Sequence, residues 1–463
     1  MDSRLTPPLL IRPTRAATDV PPGDPQLGLR LALDLGAWLL AHGGTAGEVA
    51  RAIQDVLACA GLSDVSVAVD YDHLLVSVAG PDGEQVMRSR VITGRGVNFG
   101  RLTNGLHLLQ DVVDGRIGLQ EASARLSDVK TRPEPYPRLW MDLGAGLTGA
   151  MTAVVFGGHA LSTGVAFVVT ALLSRGTFRL GQRGWFAFHL QVVAGGGGVL
   201  AALFVHRLSP DIGPGMVVLA VMFVMLAGVT ITAAVHDAIT GWYAAAGSRL
   251  LEALTSTAGL MLGVSVGLML LRAMGSPLTL DQNLPLKPHP EPLLLLACGL
   301  ASVGFTLLTQ SPLRTAGPVA ALSALACAAY HWGLAQGGGV VWASALAALL
   351  VGGLSVPLTQ WLRCAAPTLT VCALLPLLPG WMLYRGLLDA SQNVTLIAQA
   401  MSVALALAVG TITGQQLGLL GFRFMTRLES RFAPFFARPR EDSLRDRAGN
   451  PGTEAGPDPD GRG

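Results

Sequence analysis

The sequence has 463 residues, of which 51% are hydrophobic and only 13% are charged, and its formal net charge is +2. Soluble globular domains usually carry about 25% charged residues, so the composition excludes an ordinary soluble protein and indicates a polytopic membrane protein with a small soluble part. The nearly balanced charge has no basic stripe and argues against a nucleic-acid partner. The five scattered cysteines form no metal-binding or disulfide pattern.

The start of the chain shows no signal peptide. Residues 1–25 are rich in proline and predict a disordered N-terminus. The first apolar stretch, 31–41, contains Asp34 and is too short to span a bilayer. We therefore expect the N-terminal part to stay on the cytoplasmic side.

Residues 26–132 predict a small cytoplasmic α+β domain. Helical spacing over 26–42 is followed by a Thr45–Glu48 capping box that starts a second helix. Alternating apolar residues and a Pro-Asp-Gly turn then indicate two or three antiparallel strands. Two further helices follow, and the predicted order is ααβββαα.

Two polar clusters in this region have no specific motif. Gly94-Arg95-Gly96 is typical of a turn, although glycines there could also cradle an anion. His42, Asp70, Asp72 and His73 have no metal-site or hydrolase spacing, so an exposed turn and a solvated strand face are favoured.

The rest of the chain predicts a mainly α membrane region with about ten transmembrane helices. Its apolar stretches approach the roughly 20 residues that a spanning helix needs, and they lie near 139–157, 159–174, 185–205, 215–236, 250–271, 291–309, 316–335, 339–359, 366–385 and 394–421. The second stretch is short. A basic and then disordered cytoplasmic tail, 422–463, follows the last one.

The distribution of arginine and lysine favours ten crossings with both termini in the cytoplasm. With that count, the loops facing outside contain only Arg207, Arg272, Lys287 and Arg385. The segments facing inside contain Lys130, Arg132, Arg138, Arg175, Arg179, Arg183, Arg249, Arg314 and Arg363, and the tail adds more. Nine crossings would place the arginine-rich tail outside.

The ten segments divide into two units of five, 138–274 and 293–421, around a Pro-rich linker at 275–292. An odd number of crossings inverts the second unit, as in many transporters built from inverted repeats. In the fourth segment of each unit, a glycine precedes an aspartate by nine residues. These pairs are Gly228 with Asp237 and Gly380 with Asp389.

The ninth segment contains Pro376, Pro379 and Gly380, which predict a break near mid-bilayer. Backbone groups freed by such a break are tolerated only beside protein or a water-filled cavity, and transporters use them to bind polar substrates. Glycine runs at 195–198 and 352–353 occupy matching segments, where close helix packing is the alternative to a functional break.

Few ionisable or amide side chains fall at membrane depth, where they are costly and often functional. The candidates for a substrate or proton pathway are His189 and Gln191 in the third segment, Asp237 at the end of the fourth, and Arg249 and Glu252 at the start of the fifth. An interfacial structural network and a proton or substrate gate both fit this pattern.

Three motifs carry a resemblance to a known family: HGGTAGEVARAI (42–53), HDAITGWYAAAGSRLLEA (236–253) and PLLPG (376–380). In this order, around a soluble N-terminal part and two membrane units, they resemble the bacterial threonine/serine exporters over about residues 26–421. Asp237, Gly241, Gly247 and Arg249 match the family pattern by type and order. The first unit departs from it, because residues 224–229 keep only Gly228 of a Pro-x-x-Pro-Gly element.

The resemblance implies an inner-membrane secondary exporter of threonine or serine, driven by the proton gradient and needing no cofactor. In related proteins the two units can be separate subunits, and one such pair is associated with dicarboxylate export. Three alternatives remain. The protein could export a dicarboxylate such as succinate, it could be a passive channel, or it could be a membrane-anchored enzyme that uses the N-terminal domain. The sequence leaves a homo-oligomer open, and it contains no Walker A motif for ATP.

Overall fold

The computed structural model describes residues 24–62, 64–79, 85–208, 214–225, 228–273, 289–380, 382 and 394–436. Within these residues the chain is mainly helical and contains one three-stranded sheet. Eight of the described helical segments are long and apolar enough to cross a membrane. The chain is therefore a polytopic membrane protein, as its composition predicts.

Residues 24–131, the N-terminal segment, contain two helices, then the three strands of the sheet, and then two more helices. The elements are α1 (Pro25–Ala41), α2 (Ala46–Cys59), β1 (Val65–Val69), β2 (His73–Ala79), β3 (Gln85–Val91), α3 (Phe99–Val113) and α4 (Leu119–Thr131). The strands pair antiparallel, with Val76 of β2 between Val67 and Arg88. Alternate residues of β2, namely Leu74, Val76 and Val78, are buried because they share one face of the sheet. This order of elements matches the prediction.

Side-chain caps fix where three of these helices begin. On α2 the Glu48 N–H donates to the Thr45 hydroxyl (3.4 Å) and the Thr45 N–H donates to the Glu48 carboxylate (3.0 Å). This is the predicted capping box. Asp24 and Asn98 cap α1 and α3 with their side chains. Each such cap stabilises its helix by about 1 kcal/mol.

The membrane region contains a helix in each of the ten predicted apolar segments. These helices are α5 (Arg138–Val155), α6 (Ala160–Gln182), α7 (Ala187–Leu208), α8 (Pro214–Met225), α9 (Gly228–Ile239), α10 (Tyr243–Ala273), α11 (Glu291–Leu308), α12 (Ala316–Ala335), α13 (Val340–Leu362), α14 (Ala366–Ala373) and α15 (Val394–Phe436). The eight long apolar segments leave out α5, which contains Arg138 and Asp142, and α14, which has only 8 residues. The helices α8 and α9 together form the fourth segment.

Three predicted boundaries are wrong. The second segment is not short, since α6 continues to Gln182. The fifth helix begins at Tyr243 rather than near 250, which places Arg249 and Glu252 inside it. The last helix continues beyond 421 to Phe436. Arginine, lysine, glutamate and glutamine are good helix formers. A helix can therefore extend into such residues beyond the apolar stretch from which its boundary was predicted.

Glycines join the third and fifth segments of each unit. A Cβ atom added at Gly195 of α7 would overlap the backbone of α10, and one at Gly263 of α10 would overlap the backbone of α7. In the second unit, a Cβ atom added at Gly352 of α13 would overlap the backbone of α15, and one added at Gly414 of α15 would overlap the backbone of α13. Both α7 and α13 are continuous through their glycine runs. The runs are therefore packing surfaces, not breaks.

The first helices of the two units, α5 and α11, cross at glycines. A Cβ atom added at Gly144 would lie 2.5 Å from the Gly304 oxygen, and one added at Gly304 would lie 2.6 Å from the Gly144 oxygen. Thr148, one turn further along α5, donates to the oxygen of Ala301, which lies earlier along α11 (3.1 Å). The two helices therefore run antiparallel at this crossing.

The N-terminal segment packs against loops of the membrane region. The Phe99 N–H donates to the Thr309 oxygen in the α11–α12 loop (3.0 Å). The Ala365 N–H in the α13–α14 loop donates to the Thr103 hydroxyl (3.1 Å). One continuous hydrophobic cluster includes buried residues of α1–α4 and of α11–α15. This packing brings residues of the N-terminal segment next to the membrane helices that contain the predicted site.

Candidate functional site

The ninth segment is broken where its prolines predict. Helix α14 ends at Ala373, a single 3-10 turn covers Leu375–Leu377, and Leu378 is extended with φ −62° and ψ 135°. Pro376 lies in the 3-10 turn, and Pro379 and Gly380 follow the extended residue. Proline lacks an N–H and cannot continue the helical hydrogen bonds, so the break leaves backbone groups of this segment without helical partners.

The fourth segment, which contains α8 and α9, meets the ninth segment at its break. Leu226 and Ala227 lie outside the described residues, α8 ends at Met225 and α9 begins at Gly228. A Cβ atom added at Gly228 would lie 3.2 Å from the Cβ of Leu378 and 3.9 Å from the nitrogen of Gly380. The two glycines that the sequence pairs by position are thus neighbours in space.

Gln191 of α7 binds the end of α8. Its side-chain Nε2 donates to the Met225 oxygen (3.2 Å). Gln191 therefore links α7 to α8, rather than lying with Asp237 in one cluster.

Replacing Gln191 with leucine is expected to lower the free energy of unfolding by about 1 kcal/mol, because the partly buried Met225 carbonyl loses the hydrogen bond from this side chain. Thermal unfolding of the purified protein in detergent measures this effect. Gln182→Leu, an exposed position at the end of α6, is the matched control. Equal melting temperatures for the two variants would contradict the role given to Gln191.

A cavity of about 190 Å³ lies between the N-terminal segment and the helices α9, α10, α14 and α15. Its walls carry charged groups, hydroxyl groups and apolar side chains from all five parts. The polar lining residues include Thr45, Glu48, Arg51, Arg95, Thr230, Thr232, His236, Thr240, Arg249, Glu252, Thr370, Thr411 and Gln415. Drug-sized ligands occupy roughly 300–1,000 Å³, so the cavity suits a smaller, polar molecule.

Asp237 and Arg249 form a buried ion pair at one wall of this cavity. The Arg249 Nε lies 3.0 Å from the Asp237 Oδ2, and the two residues are 6% and 0% exposed. The angles at these two atoms fall outside hydrogen-bond geometry, so the contact is electrostatic. Removal of one partner from such a pair leaves a buried charge and is strongly destabilising.

The N-terminal segment completes this ion pair. The Ala46 N–H donates to the Asp237 Oδ1 (3.2 Å), and the Arg249 Nη2 donates to the Gly44 oxygen (2.9 Å). Nearby, a Cβ atom added at Gly47 would lie 2.9 Å from the Trp242 Nε1. The HGGTAGE and HDAITGW motifs are thus in direct contact, which explains why both small residues and charges recur in them.

Tyr71 connects a second pair of charges at the cavity, Arg95 and Glu252. The Arg95 guanidinium lies over the Tyr71 ring (3.9 Å) and donates to the backbone oxygen of Tyr71. Burial and then the neighbouring Glu252 carboxylate raise the pKa of Tyr71 to about 12. Tyr71 therefore stays protonated throughout the physiological pH range. Burial and then the nearby Arg249 lower the pKa of Arg95.

The structure brings most, but not all, of the predicted residues together. Arg249 and Glu252 line the cavity, Asp237 adjoins it through Arg249, and Gly228 and Gly380 meet at its membrane end. His189 is exposed near the start of α7, with its ring beside those of Trp185, Phe186 and Phe188, and it does not line the cavity. Asp389 lies outside the described residues.

Sequence reasoning missed the contribution of the N-terminal segment to the cavity. Glu48 was recognised only as a capping residue and Arg95 only as part of a turn, yet both side chains line the cavity. The turn itself is present, since Gly94 has a φ of 81°. The HGGTAGEVARAI motif could have indicated this role, because it contains Arg51 in addition to the two residues of the capping box.

Two family profiles match the chain. Residues 30–271, more than half of the 463 residues, match the profile described as "Putative threonine/serine exporter". Residues 294–416 match the profile described as "Threonine/Serine exporter, ThrE". The chain belongs to the threonine/serine exporter family. As a member of this family it is a transporter of a small molecule and not an enzyme.

Two curated relatives align with most of the exporter chain. The "Probable threonine/serine exporter" of Mycobacterium tuberculosis (strain ATCC 25618 / H37Rv) is 28% identical over 84% of this chain and 75% of its own length. The "Threonine/serine exporter" of Corynebacterium glutamicum is 24% identical over 91% of this chain and 88% of its own length. No solved structure matches this chain significantly.

Proposed function

We propose that the protein is a secondary exporter of threonine and serine in the bacterial inner membrane, driven by the proton gradient. The observation that carries the proposal is the cavity, because it combines charges of both signs with residues beside the broken ninth segment. Such breaks bind polar substrates in transporters. The names of the two relatives support threonine and serine as the substrates.

The proposed topology has ten crossings and a cytoplasmic N-terminal segment. That segment contacts Trp242 in the α9–α10 loop, Thr309 in the α11–α12 loop and Ala365 in the α13–α14 loop. These contacts support a common side of the membrane for the segment and the three loops. Each pair of helices between them then crosses and returns. His289, just before α11, binds the Gly158 oxygen in the α5–α6 loop (3.2 Å), which fits the opposite side. The arginine distribution supports a cytoplasmic location of both termini.

We also propose that the two units form an inverted repeat. Two observations support it: α5 and α11 are antiparallel, and the third and fifth segments pack through glycines in each unit. Rocking of one unit against the other would then open the cavity to each side in turn.

In this mechanism Asp237 is the proton carrier, and broken helices and cavity charges bind the substrate. A carboxylate can exchange a proton when its partners change, and Asp237 is bound by groups from two parts of the protein. Separation of the N-terminal segment from α9 and α10 would remove the Ala46 donor and favour protonation. Return of the segment would favour release of the proton.

Transport by purified full-length protein in liposomes tests the proposed function. With an acidic lumen and the membrane potential clamped by potassium and valinomycin, labelled L-threonine should accumulate in the vesicles. One-for-one exchange supports about tenfold accumulation for each pH unit of gradient. A protonophore should remove the accumulation, and L-serine should compete.

The alternatives give different results in the same vesicles. A passive channel would equilibrate threonine without accumulating it, whatever the pH gradient. Accumulation of labelled succinate without threonine would support a dicarboxylate exporter. Absence of threonine and serine flux from vesicles that contain folded protein would overturn the proposal.

A further inference from the structure

The charges of the cavity are gathered at one end. Glu48, Arg51 and Arg95 come from the N-terminal segment, and Arg249 and Glu252 come from the first turns of α10. The other end, beside the break in the ninth segment, is lined by apolar and hydroxyl side chains. They are Val229, Thr230, Thr232, Ala233, Thr370, Val371, Leu374 and Leu378. A ligand that fills this cavity must therefore have one charged end and one small, weakly polar end.

Arg249 is already engaged, whereas Arg95 and Glu252 are not ion-paired within the described residues. Arg249 binds Asp237 and the Gly44 oxygen. Arg95 is held by the backbone oxygen and the ring of Tyr71, and the Glu252 carboxylate neighbours the same tyrosine. They influence each other electrostatically across this residue. Among the charged residues that line the cavity, Arg95 and Glu252 thus form a cation and an anion beside the same tyrosine that a ligand can use.

An α-amino acid carries the complementary charges. A guanidinium binds a carboxylate through two parallel N–H groups, and a carboxylate accepts hydrogen bonds from an ammonium group. Both interactions are stronger in a partly buried site than in water. Threonine and serine share this backbone and differ by one methyl group, which the apolar and hydroxyl end of the cavity can accommodate.

We propose that the N-terminal segment forms part of the substrate site, with Arg95 binding the α-carboxylate of the amino acid and Glu252 binding its α-ammonium group. This assignment rests on the proposed export of threonine and serine. The substrate side chain then points toward Leu378 and the break in the ninth segment. Tyr71 acts as a positioning residue that fixes the spacing between the two charges, and Arg95 and Glu252 together select zwitterions over dicarboxylates.

Binding of matched ligands to matched variants tests this assignment. The full-length protein, purified in detergent, is titrated calorimetrically with L-threonine, L-threoninamide, which lacks the carboxylate, and N-acetyl-L-threonine, which lacks the ammonium group. A pH of about 6 keeps the amines protonated, since α-amino pKa values are roughly 7.7–8.0. The variants are Arg95→Gln and Glu252→Gln, and Arg88→Gln on the exposed face of β3 is the control.

Wild-type protein and Arg88→Gln should bind both analogues at least about tenfold more weakly than threonine. Arg95→Gln should weaken threonine binding by a similar factor while leaving threoninamide binding unchanged. Glu252→Gln should weaken threonine binding and leave N-acetyl-L-threonine unchanged. A merely structural effect would weaken all ligands equally.

The failures of the two proposals are distinguishable. If wild-type protein binds and transports threonine, but Arg95→Gln binds threonine normally or loses threonine and threoninamide equally, the assignment of Arg95 is wrong and export stands. The same comparison with N-acetyl-L-threonine decides Glu252. If folded wild-type protein neither binds nor transports threonine or serine, the proposed function is overturned and the assignment with it.

Discussion

Asp237→Asn is expected to abolish measurable threonine export and to lower the free energy of unfolding by about 3–5 kcal/mol. The variant removes the counter-ion of Arg249 in a site where both side chains are almost fully buried, and an uncompensated buried charge costs that much. Thermal unfolding in detergent and threonine flux in liposomes measure the two effects separately.

Two further variants control this result. Asp128→Asn removes an exposed carboxylate paired with Arg132, and its effect should stay below about 1 kcal/mol. The double variant Asp237→Asn/Arg249→Gln removes both charges and should recover stability without recovering export. Normal export with normal pH dependence in Asp237→Asn would exclude Asp237 as the proton carrier.

Gly263→Ala is expected to lower the free energy of unfolding by at least about 1–3 kcal/mol and to reduce the yield of folded protein. An added Cβ atom would overlap the Val192 backbone oxygen, so α7 and α10 must separate. Gly164→Ala is the matched control, because a Cβ atom there meets nothing within 4 Å. Alanine exceeds glycine in helix stability by about 0.5–1 kcal/mol, so the control should be slightly stabilised.

The second unit provides an independent check of the same packing. Gly414→Ala places a Cβ atom on the Leu349 backbone oxygen of α13, and it should destabilise the protein as Gly263→Ala does. Melting temperatures measured side by side compare the two positions. Stabilisation by either substitution would contradict the close helix contact.

Local features of this fold could be predicted from sequence because each depends on neighbouring residues. The capping box at Thr45 and Glu48 involves atoms three residues apart, and Pro376 and Pro379 act on the hydrogen bonds of their own helix. The same holds for the alternation that buries one face of β2. Short-range chemistry decides these elements whatever surrounds them.

The composition of the cavity could not be predicted in this way. Ala46 and Asp237 are separated by 191 positions, and no local pattern shows that an N-terminal N–H binds that carboxylate. Arg95 belongs to a genuine turn, but the turn does not reveal what its side chain faces. The predicted start of the fifth helix failed for a related reason, since Arg249 and Glu252 interact with the N-terminal segment rather than with lipid.

The contact between the N-terminal segment and the buried ion pair has a consequence for truncation studies. A chain that began after residue 132 would deprive Asp237 of its amide donor and Arg249 of its carbonyl acceptor. The two charged side chains would then lack these hydrogen bonds at a surface that the N-terminal segment covers in the full chain. Loss of flux in such a shortened chain would therefore report damage to the membrane helices as well as the missing residues, whereas single substitutions keep the cover in place.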